Sequence, residues 1–186
     1  MVSLASLWLP ILVSAIVVHL ASFIVWMVLP HHRSDWAKLP DEDAFADAVN
    51  QQNPAAPGQY AVPHAANPSD WKDEKLLEKM RRGPVALLVL KPVGQTGMGK
   101  NLALHFVHCL VIATLAAYIG ALTLAAGTDF ARVFQVIGVA AILGWAGCIP
   151  VNANWFGHSW SSTIKSIIDG VAYGLLTGAI FGWLWP

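Results

Sequence analysis

A chain of 186 residues in which 56% are hydrophobic and 12% charged, with a mean hydropathy of +0.55, is neither an ordinary soluble domain nor an unfolded polar chain. Eleven basic residues balance eleven acidic ones, so no global charge points to nucleic acid or nucleotide partners. The two cysteines, Cys109 and Cys148, both lie in apolar stretches, which excludes a disulfide framework and a four-cysteine zinc ribbon.

The expected fold class is an all-α integral membrane protein with four transmembrane helices and a cytoplasmic loop region carrying one short amphipathic helix. Crossing about 30 Å of hydrocarbon takes roughly 20 helical residues. The first candidate, about 7–29, has no basic residue before it and reads as an uncleaved anchor within a first unit, 1–30. Within it, AIVVHLASFIVW places Ala15 four residues before His19. This spacing resembles the Ala-x-x-x-His pattern of light-harvesting polypeptides, which implies a macrocycle ligated by His19. The competing account is a neutral histidine bonded to a neighbouring helix, and no resident cofactor is expected, a pigment or haem at His19 being the alternative. A haem shared with His105 is disfavoured, because the two residues stand at depths differing by about 9 Å at 1.5 Å per residue.

Residues 31–100 hold nine of the eleven basic residues, so the positive-inside bias makes them cytoplasmic and both termini periplasmic, in a bacterial inner membrane. Residues 39–70 contain five prolines and no sustained period, and read as a loop. A helix over 70–82 follows, capped by Ser69 or Asp70, with a Glu78/Arg82 pair and a Gly83-Pro84 stop. Its Lys72, Lys75, Lys79, Arg81 and Arg82 would meet lipid headgroups. GQTGMGKN, residues 94–101, matches a phosphate-binding loop in outline. Asn101 stands where the metal-holding hydroxyl belongs, and the next helix is an apolar span, so no nucleotide site is expected.

Residues 101–186 read as a three-helix transmembrane bundle, with spans at about 102–126, 133–151 and 164–184. In the first of these, His105, His108 and Cys109 share one face, with Cys148 at similar depth, as weak metal-ligand candidates; no metal is assigned. Asp169 stands next to a glycine row and four residues after Lys165, which predicts a local ion pair or a bond to another helix. Gly170, Gly174, Gly178 and Gly182 recur at every fourth position and predict a close helix contact, with the alanine row Ala113, Ala117, Ala121 and Ala125 as its partner. No nucleophile with its base and no carboxylate pair is apparent, so no enzyme is expected. The expected function is that of a non-catalytic accessory or assembly subunit of a larger membrane complex, photosynthetic or respiratory, whose partners are lipids and larger subunits. The alternative is a small transporter, or a pigment-, haem- or metal-binding membrane protein using His19, Asp169 or the His105/His108/Cys109 face.

Overall fold

A computed structural model describes residues 2–52, 57–94 and 97–186. In chain order the elements are α1 (Trp8–Phe23), α2 (Glu42–Gln51), β1 (Gly58–Val62), α3 (Glu74–Arg82), β2 (Ala86–Leu90), α4 (Gly99–Thr123), α5 (Phe130–Ala146), α6 (Ile149–Phe156) and α7 (Trp160–Leu184). Turns of 3-10 helix lie at Leu4–Leu7, Pro30–Asp35 and Pro68–Lys72, and a π turn at Ile24–Val28 continues α1. Among the described residues, four segments, Leu4–Val28, Gly99–Thr123, Phe130–Phe156 and Trp160–Leu184, are long and apolar enough to cross a membrane, which suggests a membrane-spanning protein. The chain forms two compact units, Met1–Ala37 with Met98–Pro186, and Lys38–Gly97.

The first unit is a helical bundle whose helix ends follow from local chemistry. Asp129 caps α5 by accepting from the Arg132 amide at 3.1 Å, and Ser159 caps α7 by accepting from that of Ser162. Pro150 sits in the first turn of α6, where its missing N–H costs nothing, and α6 ends at Gly157 with φ +71°. Leu7, Ala117, Val133, Ile137, Ala141 and Phe181 are fully buried in one apolar cluster.

The glycine row of α7 packs on α5, not on α4. A Cβ placed on Gly178 would stand 2.9 Å from the Gly138 Cα and 2.8 Å from the Phe134 carbonyl oxygen. At Gly174 it would meet the Ile142 amide nitrogen at 2.7 Å, at Gly170 the Ala146 Cβ at 3.0 Å, and at Gly182 the Phe130 ring at 2.6 Å. The partner differs from the expected one because the backbone of α5, at the Phe134 carbonyl, the Gly138 Cα and the Ile142 amide, fills the space that side chains on Gly178 and Gly174 would take. On α4, Ala113, Ala117 and Ala121 are buried, the last two in the cluster with Leu7 and Phe181. Ala125 lies beyond the end of α4, exposed, and its carbonyl accepts from Trp185 Nε1 at 2.9 Å.

The second unit corrects the expectation of an all-helical chain with a structureless loop. β1 and β2 pair antiparallel, Gly58 opposite Leu90 and Val62 opposite Ala86. β1 gains its partner from the apolar run VALLVL beyond α3, and a pairing so distant in sequence leaves no local period to read. α2 forms within the expected loop because Asp41 caps it, accepting from the Ala44 amide at 2.9 Å, and alanines fill its interior. α3 begins at Glu74 with Asp73 as its cap, while Asp70 closes the preceding 3-10 turn by accepting from the Ala66 and Asn67 amides. Its ion pair runs from Arg81 to Glu74, at 2.7 Å, in place of the expected Glu78/Arg82 pair.

Candidate functional site

Two polar clusters lie in the bundle. The first is built by the 3-10 turn that Pro30 starts as the first span ends. His32 Nδ1 lies 2.6 Å from Asp35 Oδ2, and His32 Nε2 lies 2.7 Å from Asp169 Oδ2 on α7. Lys165 Nζ donates to Asp35 Oδ1 at 2.7 Å and to Ser34 Oγ at 2.9 Å, and Ser162 Oγ donates to Asp35 Oδ2 at 3.0 Å. The His32, Asp35 and Asp169 side chains are only 5, 4 and 9% exposed. Burial at that level is tolerable because the charges are paired and hydrogen-bonded. The Lys165 ammonium, then His32, hold the Asp35 carboxyl at about 2 against its ordinary 3.8, with burial opposing them. The His32 ring lies flat on Trp26, centroids 3.7 Å apart and planes 4° from parallel. Beside it, His31 Nε2 comes within 3.4 Å of Asp169 Oδ1 without the alignment of a hydrogen bond, and it is buried with no other partner among the described residues.

The second cluster joins α1 to α4. Ser22 Oγ donates to the His19 carbonyl at 2.8 Å and lies 2.7 Å from His105 Nε2. Cys109 Sγ is 3.8 Å from the same nitrogen. The His19 and His105 ring centroids are 5.3 Å apart, and His19 Nδ1 is buried without a hydrogen-bond partner among the described residues. In each of two sets, His19/His105/Cys109 and His31/His32/Asp169, one ligand atom per residue lies within 4.8 Å of the others. A cavity of about 410 Å³ connects the clusters, with His19, His105, Trp145, Asp169 and Tyr173 in its wall.

These contacts revise several expectations. His19 and His105 meet despite their expected difference in depth, because α4 starts at Gly99 and the first span runs to Val28; hydropathy does not place span ends in one plane. Ala15 packs with Val18, Cys109 and Tyr173, so protein fills the space the light-harvesting pattern would leave for a macrocycle. His108 turns to the edge of Trp145, 5.0 Å between centroids, and Cys148 is exposed before α6; neither joins the His19/His105/Cys109 set. Lys165 bonds to Asp35, while Asp169 reaches His32.

In the second unit, Lys75, Lys79 and Arg82 edge a groove with Leu76 and His64, Arg81 pairs with Glu74, and Lys72 ends the 3-10 turn. Of the phosphate-loop match, Gln95 and Thr96 lie outside the described residues, and Lys100 and Asn101 open α4. His31, His32 and Asp35 escaped sequence reasoning. Their signal was the string HHRSD directly after the first apolar segment, two imidazoles and a carboxylate one turn on, in a chain with an acid inside its last apolar segment, at Asp169. Comparison with protein-family models, with curated proteins and with solved structures finds no match to this chain.

Proposed function

We propose that this is a membrane protein that binds a transition-metal ion inside its helical bundle, at His19, His105 and Cys109. The observation that carries this reading is the convergence of the three ligand atoms within 4.8 Å, with the buried His19 Nδ1 lacking a hydrogen-bond partner among the described residues. His105 and Cys109, one turn apart on α4, give a rigid pair. Their 3.8 Å separation is close to the ~3.6 Å edge of a tetrahedron with zinc–nitrogen and zinc–sulfur bonds of ordinary length. Two imidazoles and a thiolate select zinc or copper over magnesium or calcium, and three protein ligands leave a coordination position open. The role proposed is binding, not catalysis.

Cobalt(II) titration of the full chain in mild detergent tests it. A thiolate-to-cobalt charge-transfer band is expected, abolished by Cys109→Ser and retained in Cys148→Ser. No such band, or one that follows Cys148, overturns the reading.

The orientation proposed with it has residues 31–100 on the cytoplasmic side of a bacterial inner membrane and both termini periplasmic, supported by nine of eleven basic residues lying in that region. Labelling of a cysteine introduced at Ser69 only from the periplasmic side would reverse it.

A second reading, an accessory subunit docked to a larger membrane complex, is favoured by residues Lys38–Gly97 forming a compact unit with its own hairpin and helix. The glycine row gives it no support, since α5 covers that row within the chain. Stoichiometric co-purification with larger subunits is its test.

A further inference from the structure

We propose a second cation site in the same bundle, at His31, His32 and Asp169, for a divalent first-row ion such as Zn²⁺ or Fe²⁺, with Asp35 as the residue that positions His32. Neighbouring residues usually send their side chains apart, yet here the turn started by Pro30 brings both Nε2 atoms onto one carboxylate, at 3.4 and 2.7 Å from its two oxygens. The rings meet edge to face, with centroids 4.7 Å apart.

What surrounds His32 is what a metal-binding histidine requires. A ligating imidazole needs its remote nitrogen to donate to a carboxylate or carbonyl, which fixes the tautomer and aims the other nitrogen. Asp35 Oδ2 at 2.6 Å from Nδ1 provides this. Asp35 is held in turn by Lys165 and Ser162, so it cannot swing round to become a ligand itself. Trp26 fixes the plane of the ring. Four side chains therefore restrain one imidazole, and its Nε2 points at a carboxylate that lines the cavity.

A network closed by protons alone accounts for part of this. A doubly protonated His32 would donate to both aspartates, and with Lys165 the charges would cancel. That account leaves His31 without a role and its buried Nε2 without a hydrogen bond among the described residues. An ion in place of the proton between His32 and Asp169 satisfies His31 as well. The donor set is two imidazoles and one carboxylate, harder than the set at Cys109, and it suits zinc or iron(II) with positions left open.

The site is independent of the one at Cys109, and metal counting on the full chain in detergent separates them. In a His19→Ala/Cys109→Ser variant, which lacks the softer site, one equivalent of Zn²⁺ per chain is expected to remain. His31→Ala, which leaves the hydrogen bonds among His32, Asp35, Lys165 and Asp169 in place, and the near-isosteric Asp169→Asn should each abolish that equivalent. Asp35→Asn should weaken it by about 10- to 100-fold without removing a ligand. Zn²⁺ uptake that vanishes in the His19→Ala/Cys109→Ser variant, or that persists unchanged in His31→Ala, overturns the proposal. Loss of the cobalt–thiolate band with His31-dependent zinc retained would instead remove the Cys109 reading and leave this one standing.

Discussion

The α5–α7 seam and the α1–α4 side of the bundle face the same constraint, that helices must satisfy each other, and they meet it in opposite ways. Along the seam, glycines opposite Ile142 and Gly138 let backbones touch, so dispersion contacts are dense and no ligand could enter. On the other side, His19, Phe106 and His105 stand between α1 and α4, with His19 and Phe106 edge to face at 5.6 Å. The larger rings hold the helices apart, and the space becomes a cavity whose polar groups must find partners within the protein. Small side chains make a clamp, and large ones leave a cavity.

The largest expected break in that comparison comes at the polar end. Lys165→Met leaves the Asp35 carboxylate, 4% exposed, without its cation, and removal of one partner from a buried pair costs about 3–5 kcal/mol. Unfolding in mild detergent measures it; a loss typical of exposed pairs, about 1 kcal/mol or less, would mean that water serves the network.

Next comes the seam. Gly178→Ala should destabilise by about 1–3 kcal/mol through overpacking, even though alanine gains about 1 kcal/mol over glycine in a helix. Gly138→Ala sharpens the contrast, since its Cβ would meet α7 at an ordinary 3.7 Å and the variant should be neutral or stabilised in the same assay. Equal effects at the two glycines would show that helix propensity, not backbone contact, rules the seam.

On the cavity side, Ser22→Ala removes the 2.7 Å contact to His105 and should cost about 1 kcal/mol, read by the same unfolding. The smallest effect is expected at Gly99→Ala. A Cβ there meets nothing within 4 Å, so the change should stay within about 0.5 kcal/mol.

Much of the fold is legible in the sequence alone. The long apolar runs announce four helices of membrane-crossing length, because hydrocarbon thickness sets a length that composition reveals directly. The glycine pitch likewise shows that α7 has a flat face, since four residues nearly complete a helical turn. Neither signal names a partner: a flat face fits any flat face, and only the folded bundle shows the α5 backbone lying against Gly174 and Gly178. The β1–β2 pairing was hidden for a related reason, since Gly58–Val62 becomes a strand only once Ala86–Leu90 lies beside it.

The candidate sites divide in the same way. His105 and Cys109 could be read as one face from their spacing on a single helix, and Asp169 as an acid bound to Lys165 or to another helix from its place in an apolar run. That His19 completes the first set, and that His31, His32 and Asp35 close around Asp169, depends on contacts across gaps of 86 to 138 residues. Local sequence determined the spans, the caps at Asp129 and Ser159, and the helical faces, because those forces act within a turn or two of the chain. Tertiary structure alone decided which faces meet and which histidines share a carboxylate or a thiol, because helix depth and rotation are set by packing between helices.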